Sequence, residues 1–415
     1  MHKPKLRFTL DDGSKFPDWE EKCFGETVLI ERGGSPRPIE QYLTDDENGY
    51  NWIKIGDAPE YGNRITSTVQ KIISDGLKKT RRVHVGDLIL SNSMSFGKPY
   101  ILDIDGCIHD GWLLIRDEKN NYNKLYLCYI LGSEYMLRQY KKLAAGTGVN
   151  NLNKELVSNT KIIVPCLDEQ QKIADFLSTI DTVIAKQKET VSAWEERKKG
   201  VMQKLFSQEV RFKADGGSDF PDWEEKKLSE IASIHARIGW QNLRKDEFLT
   251  DGNYLLVTGT DFCNGRVNFS TCYYVDKERY EQDKNIQVEN GTILVTKDGT
   301  LGKVALVENL NKPATLNAGV FAIKVIHADT ISKFLYHWLA APMLLEYASK
   351  KSTGGTIKHL NQGILVDFPV GVPCFAEQKK IADCLSSLDE VIEKQKATLA
   401  AWEELKKGLL QQMFV

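Results

Sequence analysis

The sequence predicts an α+β protein built twice: two similar, mainly β domains, each followed by a long helix. The two helices are expected to pair with each other as a coiled coil. Three observations carry this expectation. RFTLDDGSKFPDWEEK (7–22) recurs as RFKADGGSDFPDWEEK (211–226). The 43 residues of VPCLDEQQ…KLF (164–206) recur at 372–414 with 27 identities. Between these flanks lie short apolar runs bounded by Gly, Asn and Asp, the texture of strands and turns. A period near 205 residues is far longer than a solenoid repeat, so a whole module is duplicated.

Taken in order, residues 1–163 form the first domain with its N-terminal arm, and 164–210 the first helix. Residues 211–371 form the second domain, and 372–415 the second helix. Strands are expected at VHVGDLILS, CIHDGWLLIRD and NTKIIVP in the first domain, and at NYLLVTG, NGTILVT, KVALVEN and GVFAIKV in the second. Each domain also holds one helical stretch, 125–144 and 331–350. In the first long helix Ile173, Leu177, Ile180, Ile184, Gln187, Val191 and Trp194 step by fours and threes. Ile381, Leu385, Leu388, Ile392, Gln395, Leu399 and Trp402 repeat that register in the second. Such a sustained heptad marks a coiled-coil seam, in which a polar Gln fixes register. Pro165 and Pro373 stand just ahead of each helix, where proline can begin one but not continue it.

Composition narrows the function. At 415 residues the chain exceeds one ordinary core, and 41% hydrophobic with 27% charged residues is a globular balance. No apolar run approaches the roughly 18 residues of a membrane helix, and the first residues lack a signal-peptide core. A cytoplasmic protein is therefore expected. Eight scattered cysteines and seven scattered histidines show no zinc spacing, so neither a metal nor a disulfide is expected. Walker, dinucleotide, HExxH and G-x-S-x-G motifs are missing, as is the aromatic proline motif of adenine methyltransferases. Asp18, Glu20 and Lys22 loosely resemble a nuclease motif, but they are nearly contiguous in a Pro-Asp turn, with Trp19 and Trp223 as packing anchors. The chain reads as non-catalytic.

Binding remains. Net charge is −2, so any polyanion site must come from local clusters. The candidates in the first domain are Arg32, Ser35 and Arg37 in ERGGSPRP; Lys54; Lys78, Lys79, Arg81 and Arg82 before a strand; and Asn92, Ser93, Ser95 and Lys98. Those in the second are Arg237, Trp240, Gln241 and Arg244 in RIGWQNLR; Thr258; Lys297, Asp298, Thr300 and Lys303; and Lys350, Lys351 and Lys358. Gly86–Lys98 and Gly291–Lys303 match with a shift of 205 residues, each setting a strand before a polar, glycine-bearing turn. In these turns hydroxyls, amides and carboxylates can meet base edges, while the closing lysines can anchor phosphates. GTGVNNLN (146–153) matches GGTIKHLN (354–361), whereas most of the two interiors differ.

With these residues in view, the chain resembles the specificity (S) subunits of type I restriction-modification enzymes over nearly its whole length. The resemblance rests on VPCLDEQQKIADFLSTID and VPCFAEQKKIADCLSSLD, on ERGGSPRP, YNWIKIGD and RIGWQNL, and on the order domain, helix, domain, helix. It implies two target-recognition domains, each reading one half of an asymmetric bipartite sequence in double-stranded DNA. It implies two long antiparallel coiled-coil helices in a pseudo-two-fold duplicate, which act as a spacer and dock two modification (methyltransferase) subunits, through which restriction subunits join. S-adenosylmethionine, ATP and Mg2+ would serve those partners, with no cofactor in this chain and no membrane contact. The alternative is a coiled-coil assembly protein that reads no DNA.

Overall fold

The computed structural model describes residues 4–59, 61–92, 96–145, 151–239, 242–351 and 359–414. The chain divides into two compact units, Met1–Lys188 with Thr398–Val415, and Glu189–Ala397. Each unit thus takes the opening part of one long helix and the closing part of the other, around its own sheets.

In the first unit, a mixed sheet orders the strands Leu29–Arg32, Trp112–Arg116, Leu88–Ser91, Pro99–Leu102 and Arg64–Ile65. A second orders Leu43–Thr44, Gln70–Ile72, Tyr50–Ile53, Gly106–Ile108 and Arg81–Val83. The strand Leu88–Ser91 is buried on both faces, which is why LILS reads as a continuous apolar run rather than an alternating one. In the second unit, Ala232–Ala236, Val320–Val325, Ile293–Thr296, Val304–Leu306, Arg266–Val267 and Phe262–Cys263 form one sheet. Tyr273–Val275, Tyr254–Val257, Ala314–Leu316 and Gln287–Val288 form the other.

The two helical stretches each break into two helices. In the first unit the break falls at Gly132 and Ser133, between Lys124–Leu131 and Glu134–Ala145, with Gly132 against Pro99. Pro342 divides Ser332–Ala340 from Met343–Lys351 in the second, because its ring cannot supply the amide hydrogen that a continuous helix needs.

The long helices are Leu167–Phe206 and Phe375–Met413. They run antiparallel within each unit. In the first, Lys406 pairs with Asp181 while Lys188 meets Glu403 at 2.8 Å, so one helix advances as the other recedes. In the second, Lys198 pairs with Asp389 and Lys396 with Glu195, the same two pairs displaced by 208 residues. Along the expected seam Ile173, Leu177, Ile180, Ile184, Val191, Ile381, Leu385 and Ile392 are buried. Gln187, Trp194, Leu388, Gln395, Leu399 and Trp402 are half-buried.

The start of each long helix is a hub, and its chemistry explains the duplicated motifs. Glu169 is fully buried and takes Arg7 through Nε at 3.1 Å and Nη2 at 2.8 Å, with the Trp19 indole N–H at 2.8 Å. Glu377 takes Arg211 and Trp223 in the same way, at 3.1, 2.7 and 3.0 Å. A buried carboxylate needs such a filled shell, and the bidentate guanidinium supplies it. The FPDWEEK segment is therefore a clamp: its Glu20–Cys23 strand pairs antiparallel with Lys161–Val164, and Glu224–Lys227 pairs likewise with Pro369–Val372. The neighbouring Gln170 donates to the Pro165 carbonyl at 2.9 Å and accepts from the Asn123 amide at 2.8 Å. Gln378 does the same with Pro373 and Ile331, at 2.9 Å each. These two adjacent side chains tie arm, sheet and domain helix to each long helix.

Candidate nucleic-acid interface

The matched turns are built alike. In Leu88–Ser91 the Ser91 hydroxyl accepts the Lys98 amide at 2.9 Å; in Ile293–Thr296 the Thr296 hydroxyl accepts the Lys303 amide at the same distance. Gly97 and Gly302 close the turns at φ of 75° and 70°, a conformation costly to any residue with a Cβ. Both also touch neighbours: a Cβ on Gly302 would lie 2.4 Å from Leu345. Lys98 and Lys303 emerge exposed at the turn ends, and Asp298 and Thr300 are exposed in the second turn. Ser93 and Ser95 lie outside the described residues, as do Trp240, Gln241 and Lys358.

Each strand end is pinned through its backbone. The Asn92 amide donates to Gly111 O and the Lys297 amide to Gly319 O, both at 2.9 Å. Their carbonyls accept the amides of Leu152 and Leu360, at 2.9 and 3.1 Å. The shared Leu-Asn of the two GTGVNNLN-type motifs thus docks each loop on its turn. The asparagines that follow, Asn153 and Asn361, then cap the helices Lys154–Ser158 and Gln362–Val366.

In the first unit the polar candidates converge on Asp110. Ser35 donates to its Oδ1 at 2.8 Å, His109 Nε2 lies 3.0 Å from the same oxygen, and Arg37 lies 3.8 Å from Oδ2. Arg32 Nε and Asn92 Nδ2 donate to the Asp110 carbonyl at 3.2 and 2.8 Å. Burial lowers the His109 pKa despite that carboxylate. ERGGSPRP and the first matched turn are therefore one surface, although Asn92 differs from expectation. It is buried and braces the Asp110 loop, so its amide faces the protein rather than solvent. Beside this surface Lys79 donates to the Tyr42 hydroxyl at 2.6 Å, Arg81 pairs with Glu31 at 3.3 Å, and Arg82 lies over the Tyr50 ring at 5.4 Å. Lys78 is exposed and Lys54 half-buried. The exposed guanidinium and ammonium groups of this rim leave a basic face around the carboxylates of Asp110 and Glu31.

In the second unit a concavity of about 560 Å³ is lined by His235, Arg237, Lys297, Asp298, His359 and Gln362, among others. Lys297 lies 5.6 Å over the Phe321 ring, and Asp298 Oδ1 lies 2.6 Å from His359 Nδ1. Arg237 differs from expectation in the same sense as Asn92. It is 1% exposed, and its guanidinium donates to Leu316 O at 2.9 Å and approaches Thr315 and Gln282. Burial lowers its pKa, and nearby Arg279 adds to that. It shapes the floor of the concavity. Thr258 also bonds inward, to Asp261 and Thr260 at 2.8 and 2.7 Å. Arg244, Lys350 and Lys351 are exposed elsewhere on the unit, the last lying 5.6 Å over Tyr347. Among the described residues no group of His, Cys, Asp and Glu could hold a metal ion, and no helix is long and apolar enough to cross a membrane.

The pattern described as Type I restriction modification DNA specificity domain matches residues 17–192 and again 221–401. The chain belongs to that family. Among relatives of this DNA specificity family, the chain is 25% identical over 413 residues to the type I restriction enzyme MjaVIII specificity subunit of Methanocaldococcus jannaschii, covering 95% of this chain and 91% of that one. It is 24% identical over 358 residues to the EcoBI specificity subunit of Escherichia coli, covering 80% and 73%. Its fold is similar to the crystal structure of a type I restriction-modification S subunit from M. genitalium. That match has a TM-score of 0.56 and 16% identity, and covers 100% of this chain and 99% of the other. A chain from a structural study of type I R-M complex assembly and conformational transition gives a TM-score of 0.57 at 18% identity, over 96% and 98%.

Charge and composition did not point to Asp110, His109 or His235, and nothing in the matched GGTIKHLN set His359 apart from its neighbours. For Glu169 and Gln170 a signal was present: both are identical in the two copies, as are Arg7 and Trp19.

Proposed function

We propose that this chain is the DNA-reading subunit of a type I restriction-modification complex, each domain reading one half of an asymmetric bipartite target. One observation carries the reading: the DNA specificity pattern occurs twice, with the hubs and loop pins retained and the side chains around the turns changed. A scaffold kept while its faces diverge suits two modules that do one kind of job on different sequences. The functional division follows 1–163, 164–210, 211–371 and 372–415. The long helices serve as spacer and as the docking site for two modification subunits, with restriction subunits joining through them. Methylation of adenine, and cleavage, belong to those partners, which would use S-adenosylmethionine, ATP and Mg2+. Exposed lysines such as Lys98 and Lys303 serve as phosphate anchors, which position the duplex without reading it.

The test is to express the chain with its modification subunits in a host lacking other methyltransferases and map methylated adenines by single-molecule sequencing. A bipartite, asymmetric motif is the expected result. Replacing residues 24–163 by the equivalent segment of a relative should then change one half of that motif and leave the other. Methylation without any sequence motif, or with both halves altered together, would overturn the reading.

A further inference from the structure

We infer that Asp298, held by His359, reads a cytosine in the half-site of the second unit; the inference rests on the DNA-reading function proposed above. The pair stands on the wall of the concavity, where the matched turn and the His359–Gln362 segment meet. Both sides of that meeting are fixed by backbone: Lys297 bonds Gly319 through its amide and Leu360 through its carbonyl, so the adjoining Asp298 and His359 are presented from a rigid base.

Charge decides what this carboxylate can meet. Phosphates repel it, and a carboxylate offers acceptors only. On a duplex its complements are therefore the exocyclic amines of the major groove, cytosine N4 and adenine N6. Adenine sets its N7 acceptor beside N6, so a carboxylate reaching N6 brings its second oxygen towards a lone pair. Cytosine sets only a C–H beside N4. The pairing of Asp with cytosine follows.

His359 is the positioning residue. Its Nδ1 lies 2.6 Å from Asp298 Oδ1; because a carboxylate cannot donate, the proton of this bond is on Nδ1. Among the described residues Asp298 Oδ2 has no protein partner, so one oxygen is held and the other is available. Lys297 beside it, half-buried over Phe321, supplies positive charge that offsets the approach of a carboxylate to DNA. The corresponding position in the first unit is Ser93, a neutral residue, so the two half-sites are predicted to differ at this point.

The experiment uses the complex of the full chain with its modification subunits on a duplex library randomised at both half-sites, reading bound sequences. The wild-type complex is expected to select cytosine at one position of one half-site. Asp298→Ala should reduce that preference by ~5- to 150-fold and leave the other half-site intact. Asp298→Asn should shift it to adenine, because an amide can bond N6 and N7 together. His359→Ala should weaken the preference partway, and His359→Gln, which can still donate to Asp298, should restore it. If Asp298→Ala and Asp298→Asn retain the wild-type motif, or lower binding to all sequences equally, the inference is overturned. A wild-type complex with no sequence preference would instead sink the DNA-reading proposal itself.

Discussion

Removing Glu169 should release the N-terminal arm. Its carboxylate is fully buried and satisfied by three donors, two from Arg7 and one from Trp19. Glu169→Ala strands the indole N–H and the Arg7 Nε, while Nη2 keeps the Phe16 and Pro17 carbonyls and Nη1 keeps Asp18 at 3.5 Å. Breaking one side of a buried pair costs about 3–5 kcal/mol. The Arg7 side chain is 23% exposed, so water recovers part of its solvation, and about 3 kcal/mol is the expected loss. Arg7→Ala should cost more, because the charge it strands has no exposure at all. The double variant Arg7→Met with Glu169→Leu removes both charges and should be more stable than either single change.

Thermal denaturation should register Glu169→Ala as a fall of ~6–12 °C, at ~2–4 °C per kcal/mol for a unit of this size. Hydrogen exchange should place the loss. Amides of residues 7–22 should lose protection in Glu169→Ala, and those of 211–226 in Glu377→Ala, the corresponding change in the second hub. Retention of the midpoint and of arm protection in Glu169→Ala would refute the clamp. So would a double variant less stable than both single ones.

Three further outcomes are expected. His337 is buried, its Nδ1 lacks a hydrogen-bond partner among the described residues, and burial pushes its pKa down to about 3, so the folded state stays neutral while the unfolded state protonates near 6.5. Stability should therefore fall with decreasing pH between 6.5 and 3 by up to ~1.4 kcal/mol per unit, and urea midpoints should show a shallower acid slope for His337→Tyr. Lys303→Ala should weaken DNA binding by the assembled complex on all sequences alike and lower the salt slope by about one unit; a sequence-dependent loss would make Lys303 a base reader. The amides of Lys5 and Leu6 donate to Gln412 O, as that of Val210 does to Lys204 O, so the N-terminal segment sits on the second long helix as residue 210 sits on the first. A permuted chain with its termini joined and a break at 207–209 should consequently fold and keep the same methylation motif.

Much of the fold was legible because it is periodic or repeated. The heptads of 167–206 and 375–413 need only their own sequence to declare a helix, and duplication marked Glu169, Gln170, Arg7 and Trp19 as a set. Their role was not legible, since Arg7 and Glu169 stand 162 positions apart and meet only once the chain between them is folded. The helix breaks were foreshadowed by Gly132 and Pro342, small local signals inside strongly helical stretches. At the site, charge was legible and burial was not. Arg237 and Asn92 look like surface donors in one dimension, yet each stands just past the end of a strand and turns inward, where it satisfies a carbonyl oxygen. Lys98, Lys303, Asp298 and Arg244 emerge exposed because turns and short helices carry them outward.

The pattern of change between the copies follows from how the turns are held. Asn92 and Lys297 occupy the same place, and each is fixed by its own amide and carbonyl, to Gly111 and Leu152 in one unit and to Gly319 and Leu360 in the other. Bonds made by the backbone do not depend on the side chain, so the turn stays pinned in both copies, whether the residue there is a Lys or an Asn that also braces the Asp110 carbonyl. The hub carboxylates cannot change so freely, because Glu169 and Glu377 make their bonds through the side chain. One core position shows what a permitted change at depth requires. Tyr129 donates to Asp181 at 2.8 Å, whereas His337, 208 residues later, lies 3.9 Å from Asp389 and turns its other ring nitrogen to Ser386. Both aspartates keep a lysine, Lys406 and Lys198. The acid remains compensated whichever ring stands beside it, and the exchange is tolerated for that reason. A fold whose loops are pinned by backbone and whose hubs are pinned by paired charge can alter what it recognises at little cost in stability.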